Sequence, residues 1–212
     1  MYIVFEGIVG TGKTTQSKLF SNFLTKKYPN KKVTWTREPG GSEIADQIRK
    51  LVQGTKFKEK MDPVCDAYLY AASRAQTLRT VVKPELTKGN FVVSDRNFLT
   101  SLSFQAFGMG LGMKKVWKIN SVAVGDIIPD LIFFLDLDLK TALTRTQDLS
   151  GDKWESMDEN FFITAKKGYI ETSKLKFLKD KIVFIDAKGS IDQVQKNIQI
   201  AFNKNTSVLK TN

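Results

Sequence analysis

The chain has 212 residues, 42% of them hydrophobic and 26% charged. These fractions lie near the globular norm and exclude a disordered, collagen-like or wholly membrane-embedded protein, and the length suits one large domain. Thirty-three Lys and Arg against 22 Asp and Glu leave a net charge of +11, which suits nucleic acid, an anionic membrane surface or small anionic substrates without choosing among them. A single cysteine, Cys65, and the absence of histidine exclude an intramolecular disulfide, a Cys-cluster metal site and any imidazole-based triad.

In chain order, residues 2–6 (YIVFE) read as a short strand, followed by a glycine loop and a helix over 13–28 that Pro29 and Asn30 stop. KVTWT (32–36) is a second strand, 42–52 a helix, and 63–88 a long helix capped by Asp62 with Pro63 as its first residue. FVVS (91–94) is the third strand. A helix from Leu99 breaks around Gly108, Gly110 and Gly112 before another over 114–124. LIFFLD (131–136) is a strongly apolar strand, 140–147 and 157–178 are helices, and KIVFID (181–186) is the last strand. A helix over 193–202 closes the chain, with a frayed tail expected over 205–212.

Strands that alternate with helices and read as continuous apolar runs predict an α/β fold: a parallel sheet, five-stranded, with helices on both faces. No repeat or linker divides the chain, so residues 1–204 are read as one domain. The lysine clusters lack the aromatic platforms of a single-strand binder and read as solvated faces, so no nucleic-acid partner is expected. With no positively charged stretch ahead of an apolar run and no apolar window near the ~18 residues of a span, a cytoplasmic protein without membrane contact is expected.

Residues 7–14, GIVGTGKT, match GxxxxGK[ST] at every fixed position, between a predicted strand and a predicted helix. Gly7, Gly10, Thr11 and Gly12 can turn backbone N–H groups around phosphates. Lys13 reaches the outer phosphates, and Thr14 and Thr15 sit at the positive end of the helix, with the Thr14 hydroxyl able to ligate Mg²⁺. The loop implies a nucleoside triphosphate with Mg²⁺ but leaves kinase, GTPase and motor ATPase open. Asp95 and Asp136 both end apolar runs, and pattern alone does not say which faces the magnesium.

Basic residues are unevenly typed, with 27 Lys and only six Arg (Arg37, Arg49, Arg74, Arg79, Arg96, Arg145). The rare planar forks are the candidates for gripping phosphate or a base edge, Arg79 being read instead as surface cover.

With the loop, the segments TREPGG (36–41), LYAASRAQ (69–76), DRNFLTSLSFQ (95–105) and LDLD followed by Arg145 resemble the thymidylate kinase family, over nearly the whole chain and in the family's order. The resemblance implies ATP- and Mg²⁺-dependent phosphorylation of dTMP, and a homodimer. It places Tyr70 as the ring that stacks on thymine, Arg74 facing the base edge, and Ser73 and Gln105 near the base. Thr100 and Ser101 become pocket-lining hydroxyls, and Phe104 the aromatic near the sugar. Arg49 and Arg96 become grips on the acceptor phosphate, Glu38 an acceptor-site acid, and Asp95 the better magnesium candidate. Arg145 and Lys153 supply the charge of a lid over about 147–156. A monophosphate with a second pKa of about 6 needs no general base, which fits a chain without histidine.

Val9 stands where the family usually has an acid, which predicts a weaker grip on the sugar or compensation by Glu38. Gly10 lacks the loop arginine of one branch. These departures keep two alternatives open: a kinase of broader specificity for dUMP, dCMP or purine deoxynucleotides, and a nucleotide-binding regulatory protein with weak turnover.

Overall fold

The computed structural model describes residues 1–54, 57–146 and 153–209. Its elements run β1 (Tyr2–Glu6), α1 (Lys13–Lys27), β2 (Val33–Arg37), α2 (Glu43–Gln53), α3 (Pro63–Thr77), α4 (Lys83–Thr87), β3 (Phe91–Asp95), α5 (Phe98–Ser103), α6 (Met113–Val124), β4 (Leu131–Asp136), α7 (Leu139–Thr144), α8 (Glu159–Ser173), β5 (Ile182–Asp186) and α9 (Ile191–Leu209). The five strands form one parallel sheet in the order β2-β3-β1-β4-β5, as the apolar runs predict.

Period-two alternation sorts the central strands between two helical layers. Phe5 of β1 and Phe133 of β4 pack on Phe20 of α1 at ring separations of 5.6 Å, with Phe202 of α9 5.2 Å from Phe20. Their neighbours Glu6 and Phe134 point the other way and meet Tyr169 of α8. The same alternation that builds the core therefore buries a glutamate at the C-terminal end of β1.

Helix ends follow local chemistry. Asp62 caps α3, accepting from Val64 N at 2.8 Å, with Pro63 as the first helical residue; Ser42, Asp138 and Asp158 cap α2, α7 and α8.

Several boundaries differ from expectation. The helix over 63–88 contains a π-helical turn, Leu78–Val82, in which Lys83 N–H bonds Leu78 O five residues back just before Pro84, which has no N–H to give. A second π-helical turn, Phe104–Gly108, follows α5. The expected 157–178 helix ends at Ser173, and a 3₁₀ turn, Lys176–Leu178, follows. The helix α9 runs on to Leu209 where a frayed tail was expected from 205, while residues 210–212 lie outside the described residues. Arg79 is more than surface cover: it donates to Ala123 O and Val122 O at 2.7 Å and so caps the C-terminal carbonyls of α6.

Candidate active site

The glycine loop leaves the end of the central strand β1, where a parallel sheet of this order opens toward its carboxyl ends. Gly10 has φ +73°, and a Cβ there would lie 2.0 Å from Ala142 O of α7, so only glycine fits. Lys13 Nζ turns into the loop and donates to Ile8 O at 2.5 Å, with Thr11 Oγ1 at 3.3 Å. Burial pulls the Lys13 ammonium down to about 7, the nearby Arg96 charge adds to the fall, and Asp95 and Glu6 oppose it. A buried cation short of counter-charge attracts an anion. Gly7 is buried below the loop, while Gly12, Thr14 and Thr15 are exposed at its mouth.

Tertiary structure separates the two candidate aspartates. The Thr14 hydroxyl donates to Asp95 Oδ2, joining the first turn of α1 to the end of β3. Asp136 is half exposed and pairs with Lys166 at 2.7 Å. A hydroxyl and a carboxylate side by side at the loop are the hard oxygen donors that Mg²⁺ takes.

Arg96 follows Asp95 with φ +74°. Its NH1 lies 3.0 Å from Gly7 O, 3.1 Å from Thr100 Oγ1 and 3.1 Å from Tyr169 OH, and its guanidinium sits 5.3 Å from the Phe104 ring centre. Beneath it Glu6, wholly buried, accepts from Asn97 N (2.8 Å), Thr100 Oγ1 (2.8 Å) and Tyr169 OH (2.9 Å). Burial raises the Glu6 carboxyl, and Arg96 and these donors partly offset the rise. Thr100 thus serves the arginine brace.

On the side expected to take the acceptor, Asp66, Tyr70 and Arg74 share one face of α3. Tyr70 is 2% exposed; its hydroxyl accepts from Trp154 Nε1 at 2.7 Å. Phe104 meets Trp154 edge-on at 5.0 Å within a cluster that includes Phe161 and Tyr169. Gln105 is buried and donates through Nε2 to Asp66 Oδ1 at 2.7 Å.

Several residues stand differently from the sequence expectation. Arg74 turns its fork into protein: Nε to Glu38 Oε2 at 2.6 Å, NH1 to Ser101 Oγ at 3.2 Å and to Asn120 Oδ1, and NH2 to Asn97 O at 3.1 Å. The reason is Glu38, which at 4% exposure requires a cation and has its carboxyl raised by burial even so. Ser101 is spent on Arg74. Ser73 is spent on the TREPGG loop, accepting from Gly40 N at 2.9 Å. Arg49 reaches the same loop, donating to Pro39 O at 2.8 Å. Lys153 pairs with Asp66 and stands over the Tyr70 ring at 5.6 Å. Arg145 is exposed and reaches Ala187 O after β5 at 3.4 Å. Residues 147–152 of the expected lid lie outside the described residues.

Sequence reasoning missed Glu6, Asp66, Asn120, Trp154 and Tyr169. Glu6 carried a signal, a lone charge at the end of an apolar strand that enters the loop; Asp66 carried a weaker one, its place one turn before Tyr70.

The sequence pattern described as thymidylate kinase matches residues 5–198. This chain belongs to the thymidylate kinase family. A thymidylate kinase of Mycoplasma mobile is 36% identical over 207 residues, which cover 96% of this chain and 98% of that one. One from Acholeplasma laidlawii is 41% identical, covering 92% and 94%. The crystal structure of thymidylate kinase from Ehrlichia chaffeensis superposes with a TM-score of 0.78 at 25% identity, over 95% of this chain and 98% of that one. The thymidylate kinase fold is thus shared along nearly the whole length, and the five-stranded sheet and phosphate loop are parts of it.

Proposed function

We infer that this chain transfers the γ-phosphoryl group of ATP to dTMP, giving dTDP and ADP, and that the residues above carry the reaction. The observation that carries this reading is the junction of Lys13, Thr14, Asp95 and Arg96 at the ends of β1 and β3, in a member of the thymidylate kinase family. An anionic oxygen of the dTMP phosphate attacks the γ-phosphorus, the bond to the β–γ bridging oxygen breaks, and ADP leaves with those electrons. Lys13 and the loop N–H groups of Gly7, Gly10, Thr11 and Gly12 hold the donor phosphates, and Arg96 offsets the charge of the acceptor phosphate. Thr14 and Asp95 would hold Mg²⁺, which when bound supplies positive charge to the donor phosphates. Arg49 and the exposed Arg145 are further cations for the two phosphates, one on each side.

Tyr70 and Gln105 form the base pocket, with Phe104 behind them. In this structure Trp154 and Lys153 cover Tyr70, so the 3₁₀ turn that carries them, Lys153–Ser156, forms one wall of this pocket. Arg74 supports the pocket from within by holding Glu38, whose second oxygen Oε1 is buried without a donor among the described residues and suits a sugar hydroxyl in place of the acid absent at Val9. We read residues 1–204 as one domain of a cytoplasmic protein acting as a homodimer, and light scattering tests the dimer. No helix among the described residues is long and apolar enough to cross a membrane.

ADP release measured with ATP and Mg²⁺ over dTMP, dUMP, dCMP, dGMP and dAMP, with Lys13→Ala as the blank, tests the reading. dTMP is expected to be the best acceptor. Equal turnover of purine acceptors, or none of any acceptor while ATP still binds, overturns it.

A further inference from the structure

Asp66 is wholly buried on α3, one turn before Tyr70, and both of its oxygens are engaged. Oδ1 accepts from Gln105 Nε2 at 2.7 Å, and Oδ2 accepts from Lys153 Nζ. A carboxylate facing a lysine has only lone pairs to offer, so the amide of Gln105 must present its N–H end; turned round, oxygen would face oxygen. The other end, Oε1, is then fixed as an acceptor, and it is buried with no donor among the described residues. Leaving a buried amide oxygen unpaired is costly, so it favours a ligand that brings an N–H.

We propose that Asp66 is a positioning residue: it holds Gln105 as a fixed hydrogen-bond acceptor and so selects pyrimidine acceptors that carry a hydrogen on ring nitrogen N3. This rests on the reading of Tyr70 and Gln105 as the base pocket. Thymine and uracil donate from N3 to Gln105 Oε1. Cytosine presents a lone pair there, and an amide that could turn would accommodate it by offering Nε2; Asp66 prevents that turn. A site built to hydrogen-bond one group discriminates strongly against a ligand that lacks it.

The test is steady-state kinetics with dTMP, dUMP and dCMP on the wild-type chain, Asp66→Asn and Gln105→Ala. An amide at position 66 can present either end, so Gln105 is released. The ratio of kcat/KM for dTMP over dCMP is then expected to fall about tenfold, chiefly through KM, while the ratio for dTMP over dUMP is unchanged. Asp66→Glu, which keeps the acceptor-only group, is expected to restore part of the ratio. Asp66→Asn lowering all three acceptors in the same proportion, or none, overturns the proposal even where Gln105→Ala raises the dTMP KM. Gln105→Ala leaving that KM unchanged shows instead that the base-pocket reading fails, and the proposal with it. Should Asp66→Asn not fold, Asp66→Ser, whose hydroxyl both donates and accepts, carries the same expectation, read by calorimetric binding of dTMP against dCMP.

Discussion

Glu6 and Arg96 illustrate how one side chain can govern another at the site. The carboxylate of Glu6 gathers Asn97 N–H and the Thr100 and Tyr169 hydroxyls, and those hydroxyls are the atoms beside which Arg96 NH1 rests. Glu6→Gln keeps the shape but offers one acceptor oxygen in place of two and removes the negative charge 3.9 Å from Arg96. With about 1–3 kcal/mol at stake for a buried charged hydrogen-bond centre, kcat is expected to fall about tenfold or more, with the nucleotide-free protein still folded by circular dichroism. An unchanged kcat would mean that Arg96 is oriented without Glu6.

At the level of elements, the phosphate loop is shaped by what packs on it as well as by its own glycines. The helix α7 brings the Ala142 carbonyl against Gly10, so the position has no room for the arginine that one branch of the family carries. Gly10→Ala combines a positive φ with that collision and is expected to destabilise the chain by more than about 1 kcal/mol. It should also abolish the rise in melting temperature expected for the wild type with ATP and Mg²⁺; a normal ATP-induced rise in the variant would show that the loop can move away from α7. The helices around Tyr70 and Gln105 are irregular. A π-helical turn follows α3 and another follows α5, and the second carries Phe104 and Gln105 inward together.

For the whole molecule, burial of charge links the site to stability. Glu38 sits between the sheet and α3 with its carboxyl raised above the ordinary value of 4.5, burial being the largest cause and the Arg74 charge opposing it. Between the unfolded value of 4.5 and the higher folded one, the folded protein holds a proton on Glu38 that the unfolded chain has largely released, so in that window unfolding releases protons. The contribution of this group to stability is full below the unfolded value and is lost as pH rises through the folded one. Urea unfolding from pH 4.5 upward is expected to show the wild type losing stability with rising pH relative to Glu38→Gln; parallel curves would show that Arg74 compensates the buried carboxylate completely.

Much of this was legible from residue patterns. The strands β1 and β4 were placed to the residue, because continuous apolar runs bounded by turn residues leave little choice, and the phosphate loop was legible because its chemistry is local. The π-helical turns were not legible, since the residues in them have ordinary helical periodicity. Nor was the division of labour among polar residues: Ser73, Ser101 and Arg74 have the same spacing whether they face a ligand or one another. By itself the sequence determined the fold class, the loop and the family, which depend on contacts among near neighbours and on the order of motifs. Only the tertiary structure decided that Asp95 rather than Asp136 meets Thr14, that Glu6 underlies Arg96, and that Lys153 pairs with Asp66. Each of those facts depends on groups 81 to 91 residues apart that meet only when the sheet and its helices pack, where a buried charge must find a partner from whatever element lies beside it.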